Sequence, residues 1–340
     1  MQERQDLRLS LPSKGRLAQD AVDFLAACGL AIHKPNPRQY AASIPALPEV
    51  TVLFQRPGDI VVSVRDGSVD FGITGMDVTA EHGGNGAILV LHDALGFGGC
   101  RLTMAVPEAW TEVGSVARLA GQARALERPL RVATKFPNLT RDFLEGHAIN
   151  SFTLVPAEGT LEVAPAIGYA DCIADLVSSG QTLRDNRLRP LADGVILDSQ
   201  AALIANRASL NVRPEALHVA RVLLEFTEAY LRAREHLLVT ANMRGESPEA
   251  IARRMRDRPT LAGLQGPTIS PVLAESVAAG GWYAVQIIVN REDLFRAVTE
   301  LRAAGGSGVV VTPVTYVFEE EPVRYRAMME ALASPGGAGR

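Results

Sequence analysis

Residues Asp175–Thr182 read DLVSSGQT and follow the apolar run of residues 172–174. An acidic residue closes a strand-like segment, a hydroxyl-rich turn with one glycine comes next, and a helix-like segment begins. That strand–turn–helix passage is the unit from which α/β proteins are built. The turn itself has two readings. A Ser or Thr can simply cap the helix. Alternatively, the free N–H groups of the helix start can hold a phosphate, helped by the hydroxyls of Ser178, Ser179 and Thr182, with close backbone approach at Gly180. Asp175 would then sit where sugar hydroxyls beside that phosphate can donate to it.

The flanking sequence repeats the alternation. LRLSLP (7–12) reads as a strand, and RLAQDAVDFLAACG (16–29) as a helix with Leu17, Ala21, Leu25 and Cys28 on one face and Gly29 as its stop. DIVVSVRDG, VDFGITG, AILVLHDAL and RLTMAVP continue the alternation, which predicts a largely parallel sheet. A second α/β unit starts near residue 107 with the strand-like LRVATKF, the helical NLTRDFLEGHAI and the strand-like SFTLVPAEG. TLEVAPAIGYA reads as a helix in spite of Pro165. Residues 218–235 form an amphipathic helix with Val219, Val222, Leu223, Phe226 and Tyr230 on one stripe. After residue 236 the pattern changes to that of a β-α-β-β-α-β unit, in which the Gly/Pro-rich GLQGPTISPV reads as a link. The closing SPGGAGR is expected to fray.

At 340 residues the chain exceeds one ordinary core, so two or three domains are expected. A net charge of -4 gives no electrostatic footprint for nucleic acid. No window is apolar enough to span a membrane, and the N-terminus has no secretory h-region. Cys28, Cys100 and Cys172 are too scattered for a disulfide framework or a metal pair, which fits a reducing cytoplasm. No Ser/His/Asp or Cys/His constellation stands out, and no dedicated metal site is expected.

The span Glu162–Leu183 resembles the signature of the ATP phosphoribosyltransferase family, which catalyses the first step of histidine biosynthesis. Every specified position is met, by Glu162, Gly168, Ala170, Ile173, Asp175, Leu176, Ser179, Gly180, Thr182 and Leu183. LPSKGRL (11–17), FQRPGDI (54–60), DFGITGMD (70–77), LGFGGCRLTMAVP (95–107), VATKFPNLTRDFL (132–144) and GPTISPV (266–272) are also similar to family segments. The resemblance therefore extends over most of the chain.

The resemblance implies transfer of the 5-phosphoribosyl group of phosphoribosyl diphosphate to N1 of ATP, with release of pyrophosphate. Ser178, Ser179, Gly180, Gln181 and Thr182 would hold the ribose 5-phosphate, and Asp175, Glu162 and Lys14 would be catalytic. Arg16, Arg56, Asp77, Val78 and Phe136 would serve ATP and pyrophosphate. At Phe136 the family often has tyrosine, so stacking alone remains there. Mg2+ would ride on the substrate diphosphate. The implied fold is a two-lobed catalytic part like a type II periplasmic binding protein, followed by a ferredoxin-like regulatory domain. Lobe I would comprise residues 1–105 and 205–235, lobe II 106–204, the regulatory domain 236–322, and the tail 323–340. The long form of the family is usually a homohexamer, here expected to be built from dimers, and histidine inhibits it. Asn242, Leu264, Thr268, Ile288 and Gly308 would bind that histidine, more weakly where Asn242 replaces an acidic residue. A non-enzymatic two-lobed ligand-binding or effector-sensing protein is the alternative. Another phosphoribosyltransferase class fits less well, because Asp175 is followed by Leu176 rather than by a second acid.

Overall fold

The computed structural model describes residues 6–36, 39, 41–84, 86–156, 161–273 and 281–334. The chain divides into two compact units, residues 1–224 with 323–340, and residues 225–322.

The larger unit holds two mixed sheets. Its first lobe starts with β1 (Leu7–Pro12), α1 (Leu17–Ala27), β2 (Ala41–Ile44), β3 (Leu47–Gln55) and α2 (Pro57–Arg65), and continues with β4 (Phe71–Gly75), α3 (Met76–His82) and β5 (Ile88–His92). Helix α1 buries Leu17, Ala21, Phe24 and Leu25. It stops at Gly29, whose φ of 79° lets Leu30 N–H reach the Leu25 carbonyl at 2.8 Å and Gly29 N–H the Ala26 carbonyl at 3.0 Å. Pro57 at the first turn of α2 uses a position where no N–H is needed. The second lobe contains β6 (Cys100–Pro107), α4 (Val116–Ala125), β7 (Leu130–Thr134), α5 (Pro137–Gly146), β8 (Phe152–Pro156), β9 (Cys172–Val177), α6 (Gln181–Asp185) and β10 (Leu188–Ser199). The chain then returns to the first lobe through β11 (Ala201–Asn206), followed by α7 (Arg207–Val212) and α8 (Pro214–Glu235). The first sheet has the order β2-β3-β1-β4-β11-β5 and the second β10-β6-β9-β7-β8. Parallel pairing is confined to β3-β1-β4 inside the first sheet and to β9-β7-β8 at one edge of the second; all other strand pairs are antiparallel, so the sheets are mixed and not largely parallel.

Three sequence readings need correction here. The lobes exchange chain at residues 93–99 and at Gln200, not near 105 and 205, because Cys100 and Ser199 already pair in the second sheet while Ala201 pairs with Gly75 in the first. The apolar run on both sides hides this switch. TLEVAPAIGYA is not a helix: within the described residues it is one 3-10 turn, Leu161–Val163, with Gly168 at φ 73°. Pro165 has no N–H to extend the turn, and it disfavours helical geometry at Ala164. The expected tail is largely a helix, α11 (Val323–Ala333), which packs on the first lobe with Met328 buried. Beyond Ser334, the segment expected to fray lies outside the described residues.

The smaller unit runs from the end of α8 through β12 (His236–Gly245), α9 (Pro248–Met255), β13 (Thr268–Val272), β14 (Gly281–Asn290), α10 (Leu294–Ala303) and β15 (Gly306–Pro313). Its antiparallel sheet has the order β13-β14-β12-β15, the ferredoxin-like arrangement. GPTISPV is thus not a bare link, since its last five residues form β13. This is an edge strand, where Pro271 removes no internal ladder bond. Val239, Ala241, Met243, Val285 and Ile287 from the sheet form a core with Ile251, Ala297 and Leu301 from the helices. The unit begins before residue 236, because the last turns of α8 pack against 316–319. There Phe226 meets Tyr316 and Phe318 edge-on, and Arg232 donates to the Val317 carbonyl and pairs with Glu319.

Candidate active site

Strand β9 delivers Asp175 to the end of the second sheet, between β6 and β7, with Thr103 opposite it. The turn that follows depends on Gly180, whose φ of 73° is a left-handed conformation that other residues enter at a cost of about 1–2 kcal/mol. A Cβ there would also stand 3.2 Å from an Arg184 nitrogen. Ser179 Oγ accepts from Gln181 N–H at 3.3 Å, a turn contact from the residue before the N-cap, and the N-cap itself is Gly180, with no side-chain cap. Arg184 donates to the Ser179 carbonyl and to Gln181 Oε1, and Gln181 Nε2 donates to Asp185. Glu162, Asp175, Ser178, Ser179, Gly180 and Thr182 line one cavity of about 90 Å³ together with Leu176, Val177 and Leu183. The sequence signature therefore closes on itself around one small polar space. Burial pushes the Asp175 carboxyl above its ordinary pKa, and the nearby Glu162 charge adds to that rise. The Leu176 N–H, donating to Asp175 Oδ1 at 2.8 Å, and the Lys135 charge oppose it.

Ser178 and Val177 also face a larger cleft of about 650 Å³ between the two sheets. Its walls include Met76 from the first lobe, Asp93, Gly96 and Gly99 from the crossover, and Cys100, Arg101, Asp198 and Ser199 from the second. Sequence reasoning singled out none of these residues for the site. The only signal was the glycine-rich LGFGGCR, which marks the crossover where the backbone itself forms the wall.

The remaining expected residues divide into two groups. Lys14 and Arg56 are exposed just beyond the ends of the paired parallel strands β1 and β3, and Asp77 and Val78 follow β4 at the start of α3. Carboxyl ends of neighbouring parallel strands are where open α/β sheets bind ligands. Asp77 is buried, and its Oδ1 accepts from Ser199 Oγ at 2.7 Å across the lobes. The other group turns away from the open space. Arg16 spends its guanidinium on the Gly98 and Gly99 carbonyls at 2.5 and 2.9 Å and on Cys100 Sγ at 3.1 Å. Phe136 is buried before α5 and lines neither cavity. A further link between lobes was not expected: the buried Glu81 carboxylate of α3 accepts from Asn138 N–H and Leu139 N–H at 2.9 and 3.0 Å, capping α5.

In the smaller unit, Leu264 N–H donates to the Ile288 carbonyl at 3.0 Å, and both residues line a pocket of about 150 Å³. Asn242 and Thr268 occupy β12 and β13 at positions that alternate with the core, on the open face of the sheet. Gly308 lies in β15 at the register shift opposite Thr240–Asn242. The five residues expected to bind histidine thus occupy one sheet and its rim, and two of them, Leu264 and Ile288, line this pocket.

Two α/β lobes flanking a cleft, with a ferredoxin-like unit after them, define the class of two-lobed periplasmic-binding-protein-like folds with an added domain. The ATP phosphoribosyltransferase family model matches residues 56–227, and the model of that family's C-terminal domain matches 233–316. ATP phosphoribosyltransferase 2, chloroplastic, of Arabidopsis thaliana is 46% identical over 97% of this chain and 81% of its own length. ATP phosphoribosyltransferase of Gemmatimonas aurantiaca is 37% identical over 91% of this chain and 98% of its own. Among solved structures, the Thermotoga maritima ATP phosphoribosyl transferase (HisG:HisZ) complex superposes with a TM-score of 0.52 at 25% identity, over 65% of this chain and 98% of that one. The chain belongs to the ATP phosphoribosyltransferase family, in its long form. It is a transferase of the first step of histidine biosynthesis, and the non-enzymatic alternative is not favoured.

Proposed function

We propose that the cavity around Asp175 binds the ribose 5-phosphate end of phosphoribosyl diphosphate, and that ATP enters the larger cleft beside it. The convergence of Glu162, Asp175, Ser178, Ser179, Gly180 and Thr182 on one space supports this reading most strongly; Gln181 does not line it. The lone pair of adenine N1 forms a bond to ribose C1 as the bond from C1 to the diphosphate oxygen breaks, and that electron pair leaves with pyrophosphate. Positive charge develops at the ribose and negative charge on the leaving oxygens, so the protein contributes positioning and electrostatics.

In this reading the N–H groups and hydroxyls of Ser178–Thr182 receive the phosphate, with Gly180 holding the turn open. Asp175 accepts from the ribose hydroxyls and steadies the cationic ring, with Glu162 beside it. Lys14 and Arg56 meet the pyrophosphate or the ATP phosphates, and Asp77 and Val78 frame the nucleotide. Arg16 acts on ATP through the crossover wall that it fastens, and Phe136 supports the β7–α5 turn from below instead of stacking. Mg2+ supplies charge neutralisation when carried on the diphosphate. The donor set suits a substrate-borne ion: carboxylates of Glu162 and Asp175 line the small cavity and that of Asp198 the larger one, hard oxygens that would share an ion with the diphosphate.

We further propose that histidine binds the open sheet face of the smaller unit, near Leu264 and Ile288, and that the working form is a homohexamer built from dimers. No helix among the described residues is long and apolar enough to cross a membrane, and the reading places the enzyme in the cytoplasm. Incubating ATP with phosphoribosyl diphosphate and Mg2+ should give a near-ultraviolet absorbing product and one pyrophosphate per turnover; no product would refute the assignment. Calorimetric titration of the full chain with histidine should show binding that weakens in Ile288→Asp. Unchanged binding would move the inhibitor elsewhere.

A further inference from the structure

The C-terminal helix α11 lies beyond both family matches, which end at residues 227 and 316. It is nonetheless anchored at several points on the larger unit. Met328 is buried, Arg207 Nη1 donates to the Ala331 carbonyl at 2.8 Å, and the Arg221 guanidinium lies 5.4 Å from the Tyr325 ring centroid. These contacts hold the first turn of α11 beside the end of β5. There Arg324 Nη2 meets Asp93 Oδ1 at 2.7 Å. Asp93 is the first residue of the crossover and also a wall residue of the large cleft.

The position matters because of charge. ATP and phosphoribosyl diphosphate are polyanions, whereas the cleft that takes them is lined by two carboxylates, Asp93 and Asp198, against one guanidinium, Arg101. A bare Asp93 carboxylate in that wall would leave a net negative lining that repels both substrates, and one charge pair in partly solvated surroundings changes affinity measurably. The charge of Arg324 is felt at the neighbouring strand end as well. His92, next to Asp93, has its pKa lowered to about 4, first by burial and then by Arg324, with the Asp93 charge acting against them. As a stability device the ion pair is weak, since both side chains are partly exposed.

We propose that Arg324 is a positioning residue for the transfer reaction: from outside the cleft it neutralises and holds the wall residue Asp93, so that the cleft admits polyanionic substrates. The inference rests on the substrate assignment above, and the experiment separates the two.

Wild type, Arg324→Ala, Arg324→Lys, Asp93→Asn and the Arg324→Ala/Asp93→Asn double variant would be assayed with ATP and phosphoribosyl diphosphate at low and high salt. Arg324→Ala should raise the KM of at least one substrate roughly five- to tenfold at low ionic strength. About 0.5 M salt should shrink that rise to twofold or less. Arg324→Lys should stay near wild type, and the double variant should return close to the wild-type KM, because the exposed carboxylate is gone. A merely structural role predicts a loss that salt does not reduce and Asp93→Asn does not rescue, and that result overturns the proposal, as does an unchanged Arg324→Ala. If Arg324→Ala does not fold, Asp93→Asn alone decides: it must leave KM equal or lower, and a raised KM overturns the proposal. Failure of the wild type to turn over this substrate pair would refute the substrate assignment instead.

Discussion

Two aspartates bracket the first half of strand β9, Asp171 just before it and Asp175 within it, and the protein treats them in opposite ways. Asp171, just before the strand, receives two bonds from the Arg128 guanidinium at 2.6 and 2.7 Å, one from Arg131 Nη2 at 2.9 Å and one from Arg131 N–H at 2.8 Å. The Arg128 hydrogen bonds, with Arg131 in support, hold its carboxyl well below the usual carboxylate range. Asp175 receives one backbone bond and is pushed the other way by burial and by Glu162. One carboxylate is fully paired inside the protein and stitches β7 to β9. The other is desolvated without a guanidinium partner, the condition of a group reserved for something that arrives from outside.

The largest expected effect tests that contrast directly. Asp175→Ala should lower kcat/KM by about 10³-fold, the scale at which removal of one transition-state electrostatic partner is felt. Circular dichroism should be unchanged, and pyrophosphate release is the measurement. Near-normal release would make Asp175 another structural aspartate and erase the distinction. Next comes the loop that Asp175 introduces. Thr182→Val keeps the shape but removes a hydroxyl facing the cavity, so the KM for phosphoribosyl diphosphate should rise about tenfold, the worth of one hydrogen bond to a charged group. The KM for ATP should barely move; equal rises would place the phosphate elsewhere.

The two aspartates also differ in how far they can be read from sequence. DLVSSGQT is contiguous, so its strand, turn and helix start bring most of the small cavity's lining together through local geometry, and Glu162 joins it from the segment just before β9. Asp171 looks like any acid before a strand, because its partners Arg128 and Arg131 are some forty residues away and meet it only when β7 pairs with β9. The same distance hides Arg16: its basic turn is visible, but its attachment to Gly98, Gly99 and Cys100 requires two lobes to meet. Residues 199–201 show the limit most clearly, since Ser199 and Ala201 belong to different sheets within one unbroken strand-like run. Helix α11 was obscured by the Gly/Pro-rich end that follows it.

The smallest expected effects are on stability, and their signs oppose each other. For Asp171 the folded pKa lies below the unfolded value near 3.8, so the unfolded chain binds more protons between the two. Its contribution is complete above about 3.8 and disappears as pH falls through the folded value. Asp171→Asn should therefore cost about 1–2 kcal/mol at neutral pH, discounted because both arginines are partly exposed, and little in strong acid. Transfer activity should persist. For Asp175 the folded pKa lies above the unfolded value, so the native state binds the extra proton and pays a penalty that is complete above the folded pKa. Asp175→Asn removes that penalty. Its melting temperature at pH 7 should exceed that of wild type, and the difference should shrink as pH falls toward the unfolded carboxyl value. Melting temperatures of the two variants should lie on opposite sides of the wild-type reference at neutral pH and approach it as pH falls. If Asp175→Asn is less stable than wild type at pH 7, then Asp175 has an internal partner that outweighs its desolvation, and the asymmetry of β9 no longer marks a reserved site.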